Sequence, residues 1–286
     1  MFTLLLTAAL TAPPAADAYP RPERLIEPAA LAAATDFVVL DVRTEKAYAA
    51  GHVPGARRID PDDWAKGFGD GTDLAGWTKR IGGVGITAKS TVVLYDDSRS
   101  KDAARAWWML RYFGVADARV LNGGWKAWTA GKYPVSTEAV TPGLDFFTPK
   151  PQTKLAATKE LILESLPGQS LQIVDCRSQA ERLGTEAMGN KRTGTIPGAK
   201  HLEWSELLDA ETHRFLPPAE LKKKLAAAGI ALDRPTVSHC QGGSRSAVMT
   251  FVLDLMGADE ARNYHPSFGE WAKDAATPIV PPAPKK

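Results

Sequence analysis

Phe37-Val38-Val39-Leu40-Asp41-Val42-Arg43 reappears half a chain later as Leu171-Gln172-Ile173-Val174-Asp175-Cys176-Arg177. Each copy is a short apolar run closed by Asp-x-Arg, the pattern of a parallel strand buried on both faces with charge at its end. The correspondence continues in order. Gly51-His52-Val53-Pro54-Gly55-Ala56 answers to Gly194-Thr195-Ile196-Pro197-Gly198-Ala199. Val92-Val93-Leu94-Tyr95-Asp96 answers to Thr236-Val237-Ser238-His239-Cys240, and Trp128 to Trp271. The second copy carries nine extra residues, around Gly184–Arg192. Matched blocks in one order make this a duplicated domain. A chain of 286 residues holds two such copies, each large enough for its own core.

Within each half the pattern runs strand, loop, helix, strand, helix. Phe37–Leu40, Thr91–Tyr95, Leu171–Val174 and Pro235–His239 read as strands. Ala103–Phe113 and Ser246–Met256 read as helices, stopped by Gly114 and Gly257, and Leu221–Ala228 as another whose Lys222, Lys223 and Lys224 face water. Alternation of this kind predicts an α/β fold, with a doubly wound, mainly parallel sheet flanked by helices in each half. The expected layout is a domain over 22–135, a linker over 136–155 that takes in most of the Pro/Thr-rich stretch Pro134–Pro151, a second domain over 156–276, and a frayed tail over 277–286 containing Pro278, Pro281, Pro282 and Pro284.

Composition narrows the function. Lys and Arg total 35 against 33 Asp and Glu, a net charge of +2, which gives no reason to expect a nucleic-acid partner. No apolar run approaches the ~20 residues of a membrane span, and a monomer is expected. Residues 1–18 read as a signal peptide, with the apolar stretch Phe2–Leu10 and a small-x-small site at Ala16-Asp17-Ala18, although no Lys or Arg precedes that stretch. The predicted location is the periplasm or the exterior, and the cytoplasm if the segment is retained. Two cysteines exclude a disulfide framework and a multi-cysteine zinc site, and no metal is expected. In an oxidising compartment Cys176 and Cys240 pair only with each other or stay free.

Cys240 holds the most informative position. It follows a strand and precedes a helix, with Gln241-Gly242-Gly243-Ser244-Arg245 between them. Two glycines let the backbone curl so that amide groups face one concavity at a helix N-terminus, where negative charge is favoured. Arg245 adds a positive charge. An ordinary thiol, at pKa ~8.5, is only a few per cent ionised at neutral pH, and this setting lowers that value. Cys176 lies inside an apolar run with no glycine loop and reads as a buried structural residue. In the first half Asp96 stands where Cys240 stands in the second, followed by Asp97-Ser98-Arg99-Ser100. A carboxylate makes a poor sulfur nucleophile, so the first half is read as non-catalytic, serving packing or one wall of the cleft. Arg177, in Asp175-x-Arg177, is read as a structural ion pair, His52 as a turn residue, and Trp107, Trp108 and Trp204 as core. His239 precedes Cys240 in a strand and so points to the opposite face.

With these motifs assembled, residues 25–275 resemble the tandem-domain rhodaneses, the thiosulfate and 3-mercaptopyruvate sulfurtransferases. The carriers are Asp41-Val42-Arg43, Gly51–Ala56, Asn122-Gly123-Gly124-Trp125 with Trp128, Asp175-Cys176-Arg177, Ile196–Ala199 and Cys240–Arg245. The resemblance implies two tandem rhodanese-like domains, the first inactive, and a ping-pong reaction. A Cys240 thiolate takes the outer sulfur of a small anionic donor, and a thiophilic acceptor such as cyanide or a thiol removes it, with no cofactor beyond the persulfide itself. Gln241, Gly242, Gly243, Ser244 and Arg245 cradle the persulfide charge. The resemblance also points to Arg182 as a donor-binding cation, with Lys191 or Arg192 of the insertion as a second. The loop Cys240-Gln241-Gly242-Gly243-Ser244-Arg245 is not the Cys-Gly-Ser/Thr-Gly typical of the mercaptopyruvate branch, and thiosulfate is the expected donor, with 3-mercaptopyruvate as the alternative.

Two other classes are open on the sequence. One is a phosphatase or arsenate reductase, whose cysteine loop has five residues between Cys and Arg; here there are four, a cradle too tight for a tetrahedral phosphate. The other is a non-enzymatic carrier that holds a persulfide as cargo.

Overall fold

The computed structural model describes residues 18–143 and 145–282, so the leader expected over 1–18 lies, except for Ala18, outside the described residues. The first half contains strands β1 (Leu25–Ile26), β2 (Phe37–Asp41), β3 (Arg57–Arg58), β4 (Thr91–Tyr95) and β5 (Asp117–Leu121). Its helices are α1 (Pro28–Ala33), α2 (Glu45–Ala50), α3 (Pro61–Phe68), α4 (Leu74–Gly83), α5 (Lys101–Tyr112) and α6 (Gly124–Ala130). The second half contains β6 (Gln172–Asp175), β7 (Lys200–His201), β8 (Thr236–His239) and β9 (Ala261–Asn263). Its helices are α7 (Lys159–Ser165), α8 (Gln179–Arg182), α9 (Pro218–Ala227), α10 (Ser244–Leu255) and α11 (Ser267–Trp271).

The strand orders are β1-β5-β4-β2-β3 and β7-β6-β8-β9, and every pairing between these strands is parallel. The second sheet lacks a full counterpart of β1; a single parallel bridge from Ala156 to Asn263 stands in its place. Both faces of each sheet are covered, as apolar strands without polar alternation require. In the first half, Val39, Tyr95 and Trp128 pack on one face and Leu40, Val92 and Leu94 on the other. The latter cluster continues without a break into the second half through α5 and α10, where the Trp107 and Phe251 rings meet edge to face at 4.9 Å. The two domains thus share one apolar core. Trp107 and Trp108 lie in it, whereas Trp204, expected there, is only half-buried and packs beneath the Arg99 guanidinium.

The repeated Asp-x-Arg motif closes each sheet in the same way. Arg43 is paired to Asp41 and donates to the Gly51 carbonyl at 2.6 Å; Arg177 is paired to Asp175 and donates to the Gly194 carbonyl at 2.7 Å. The arginine therefore pins the Gly-x-x-Pro-Gly turn back onto the strand that carries the aspartate. His52, buried in the first such turn, stacks on Tyr48 with its ring nitrogens 2.9 and 3.0 Å from the carbonyl oxygens of Tyr48 and Glu138.

The expected frayed tail is corrected over its described part. Thr277 is 1% exposed, Thr195 and Val280 form an antiparallel bridge, and the Trp271 indole N–H donates to the Pro278 carbonyl at 2.9 Å. Prolines deny a chain regular structure, but these leave carbonyl acceptors free, and the domain supplies the donors. The linker likewise lies along the first domain, with Phe147 buried and the Asp145 and Lys150 amides bonded to the Gly82 and Phe113 carbonyls.

Replacing Arg177 by Ala leaves the Asp175 carboxylate buried without its bidentate partner, and such breaks cost about 3–5 kcal/mol. Urea unfolding of Arg177→Ala is expected to show a loss of that order; a loss below about 1 kcal/mol would mean that the pair does not hold the turn.

Candidate active site

Cys240 sits one residue beyond β8, at the carboxyl end of the parallel sheet where α/β folds place their ligands. The loop after it must turn sharply into α10. Gly243 makes that turn in the left-handed region, φ +86°, and caps the helix. A Cβ there would stand 2.4 Å from the His265 carbonyl oxygen, so the tight loop tolerates no side chain at this point. The turn aims the Gly243 N–H at Cys240 Sγ, 3.1 Å away. The Ser246 hydroxyl lies 3.5 Å from the sulfur and that of Ser267 3.9 Å. Ser267 also accepts from the Cys240 amide at 3.0 Å, and Asn263 joins Ser246 to the Gly243 carbonyl, fixing the loop from behind.

Burial alone would raise the Cys240 pKa, since the residue is 1% exposed. The Arg245 guanidinium, the Ser246 hydroxyl and amide and the Gly242 amide outweigh it and hold the thiol below its ordinary value. Arg245 is fixed by a two-pronged pair to Glu181, at 2.5 and 2.8 Å, and both groups are held ionised by the pairing against the opposing effect of burial. Glu181 itself is set by a capping box with Ser178 at the start of α8.

The first half shows what such a loop binds. Asp96 is fully buried, and its carboxylate accepts from the amides of Ser98, Ser100, Asp102 and Ala103 at 2.8–3.1 Å and from the Ser98 hydroxyl at 2.9 Å. The nest at the mouth of α5 is filled by the chain's own carboxyl group, which these bonds hold against the upward push of burial on its pKa. At the mouth of α10 the same place is taken by the Cys240 sulfur.

Not every expected site residue joins the sulfur. Gln241, Gly242 and Gly243 form the loop, with Gly242 exposed, and Ser244 and Arg245 open α10. Arg192 does not serve as a free cation: its guanidinium donates to the carbonyls of Asp274 and Thr277 and to the Thr277 hydroxyl, tying down the chain end, which corrects its expected role in donor binding. Lys191 is exposed and lines a hollow of about 460 Å³ with Lys273. Arg182 lies 3.6 Å from Asp175 and 3.4 Å from the Gln179 side-chain oxygen, neither of them in the loop. His239 is buried against Phe268 with its pKa lowered to about 4 by desolvation, and its Nε2 lies 3.8 Å from Asp175. It stays neutral and faces away from the sulfur.

Glu181, Ser246, Asn263 and Asn190 were not anticipated. The Ser178-x-x-Glu181 spacing was a legible signal for the first; nothing local marks the others, because their roles come from chain crossings. Asn190, in the insertion, exchanges two hydrogen bonds with Gln241, at 3.0 and 3.1 Å, beside a hollow of about 570 Å³ lined by Met188, Gly269 and Lys273. This amide pair latches the insertion onto the loop that covers the sulfur.

Comparison with known proteins agrees with this architecture. The family profile described as a rhodanese-like domain matches residues 27–131 and 158–274. The chain is 30% identical over 262 residues to the thiosulfate sulfurtransferase of Azotobacter vinelandii, covering 89% of this chain and 96% of that one. It is 32% identical over 292 residues to that of Corynebacterium glutamicum, covering 93% of each, and 32% identical over 248 residues to the sulfur carrier protein TtuD of Thermus thermophilus, covering 82% and 86%. Among solved structures, EanB with a cysteine persulfide and ergothioneine superposes with a TM-score of 0.84 at 25% identity, covering 93% of this chain and 72% of that one.

The sulfur is almost wholly covered, and the Asn190–Gln241 pair holds the insertion against the loop beside it. Asn190→Ala is expected to raise the rate of Cys240 alkylation by iodoacetamide severalfold at fixed pH, read by mass spectrometry. An unchanged rate would show that the amide pair does not govern access.

Proposed function

The chain belongs to the rhodanese family and is a sulfurtransferase, and from that premise we propose that it moves the outer sulfur of thiosulfate to cyanide or a thiol through a persulfide on Cys240. The observation that carries this reading is the Gly243 amide directed at Sγ from 3.1 Å, in a nest whose first-half counterpart holds a carboxylate. The Cys240 thiolate attacks the outer sulfur of the donor, the sulfur–sulfur bond of thiosulfate breaks, and sulfite leaves with the electron pair. The terminal sulfur of the persulfide then carries the negative charge, and the loop amides with Arg245 stabilise it. An acceptor nucleophile attacks that terminal sulfur, and the Cys240 thiolate is restored as the leaving group. The reaction calls on no metal or organic cofactor.

Thiosulfate is a dianion, and Arg182 beside Asp175 and Lys191 on the insertion are the side chains we assign to drawing it in. The loop Gln241-Gly242-Gly243 favours thiosulfate over 3-mercaptopyruvate. We assign the protein to the periplasm or exterior on the strength of Phe2–Leu10 and the Ala16-Asp17-Ala18 site. A second reading, a persulfide carrier without steady turnover, draws on the likeness to the Thermus carrier protein and on the deep burial of the sulfur.

With thiosulfate and cyanide the protein is expected to release thiocyanate catalytically and to outpace its reaction with 3-mercaptopyruvate. After thiosulfate alone, the wild type and Cys176→Ser should each gain one sulfur atom, and Cys240→Ser none. A sulfur adduct on Cys240→Ser, or rapid hydrolysis of para-nitrophenyl phosphate without thiocyanate, would overturn the assignment. A stable adduct that passes to partner proteins but turns over poorly with cyanide would select the carrier. Arg182→Ala should raise the thiosulfate KM by roughly tenfold; unchanged KM and kcat would remove Arg182 from donor binding.

A further inference from the structure

The sulfurtransferase reading leaves one nucleophile without a task. Cys176 is fully buried, one residue beyond β6, as Cys240 is one residue beyond β8. The two strands pair in register up to Asp175 and His239, and the ladder continues one step further, with the Cys176 amide donating to the His239 carbonyl at 2.8 Å. Cys176 and Cys240 are therefore direct neighbours across a parallel pair. Strands in such a pair lie about 4.8 Å apart, inside the ~4.4–6.8 Å window of Cα separations that a disulfide spans. Side chains at matching positions project from the same face, and both cysteines belong to the cluster that packs beneath α10, while Ile173 and Val237 belong to the cluster on the opposite face. Cys176 Sγ lies 3.8 Å from the Val174 carbonyl, turned back along its own strand, and rotation about its Cα–Cβ bond redirects it toward Cys240.

We propose that Cys176 is a resolving thiol, which closes a disulfide with Cys240 when a peroxide oxidises the catalytic sulfur. The thiolate of Cys240 attacks one oxygen of the peroxide, the O–O bond breaks, and a sulfenic acid forms on Cys240 with hydroxide (or alkoxide) as leaving group. The Cys176 sulfur then attacks the Cys240 sulfur, the S–O bond breaks, and the Cys176 proton leaves with the oxygen as water. Two cysteines have lost two electrons in all, and one peroxide has gained them. A small or protein dithiol reverses the bond by exchange, becoming a disulfide itself. At rest the burial of Cys176 keeps the second thiol protonated and inert, and the negative charge on Cys240 adds to that effect. Once Cys240 is a neutral sulfenic acid that repulsion is gone. Without a neighbour a sulfenic acid is open to further oxidation to a sulfinic acid, which dithiols do not restore. Cys176 thus gives the active site a reversible refuge.

The inference rests on an ionised Cys240 and not on its taking sulfur, so its test uses no sulfur donor. Wild type, Cys176→Ala and Cys176→Ser are treated with hydrogen peroxide, then with dithiothreitol, and followed by thiol counting and peptide mapping. The wild type should lose both free thiols together, give a linked peptide pair two hydrogens lighter than the separate peptides, and recover both thiols on reduction. In both variants Cys240 should pass to a sulfinic acid that dithiothreitol leaves unchanged, with recovery at least fivefold lower than in the wild type. Two variants guard against a packing defect in either one. A wild type that keeps the Cys176 thiol while Cys240 oxidises, or that recovers no better than the variants, would overturn the proposal, as would a Cys240 that peroxide leaves untouched. If the disulfide forms and no persulfide does, the sulfurtransferase mechanism fails and this inference stands; the opposite outcome fails this inference alone.

Discussion

Negative charge set against the exposed amides at the start of a central helix is the interaction on which both halves of this protein turn. In the first half the group is the Asp96 carboxyl, whose pKa burial pushes up, and four backbone amides with the Ser98 hydroxyl surround it. In the second half the charge belongs to Cys240, and the Gly243 amide, the Ser246 hydroxyl and Arg245 take the corresponding positions. The duplicated scaffold therefore contains its own comparison. One nest is filled with a carboxyl group, and its twin holds a thiol, the more nucleophilic of the two.

The surroundings of the active nest follow from the need to hold it still. Arg245 adds field at the sulfur, but a loose arginine would wander into solvent; the Glu181 pair fixes its plane. The first domain contributes by contact. Phe68 and Trp108 pack against the His265 ring, and the His265 carbonyl sits where a side chain on Gly243 would have to go. The non-catalytic half thus backs the loop that shapes the catalytic one, and the shared core between α5 and α10 makes that support rigid.

Much of this was legible in the residues. Period-free apolar runs ending in Asp-x-Arg gave strands that the structure extends or shifts by a single residue, and the repeat of ordered blocks gave two domains. The placing of Cys240 between a strand and a helix, with two glycines following, was enough to locate the nest, because its geometry is local. What sequence did not yield is what depends on segments meeting from afar. Arg192 looked like a free cation in an insertion, and it is tied to carbonyls of a chain end that proline content had made look frayed. Asn190 meets Gln241, and Ser267 reaches the Cys240 amide across 27 residues, only because the fold brings those loops together. The adjacency of the two cysteines is of the same kind. Both ends of the pair were visible, but only the strand register makes them neighbours.

The account stands on the claim that this nest stabilises negative sulfur despite near-complete burial. Titrating the absorbance of the Cys240 thiolate in Cys176→Ala, against Cys240→Ser as the blank, measures that stabilisation directly. The account predicts a midpoint below the ~8.5 of an ordinary thiol, moving upward when Arg245 is replaced by Gln. A midpoint at or above the ordinary value, unmoved by that replacement, would show that burial prevails and would contradict the claim.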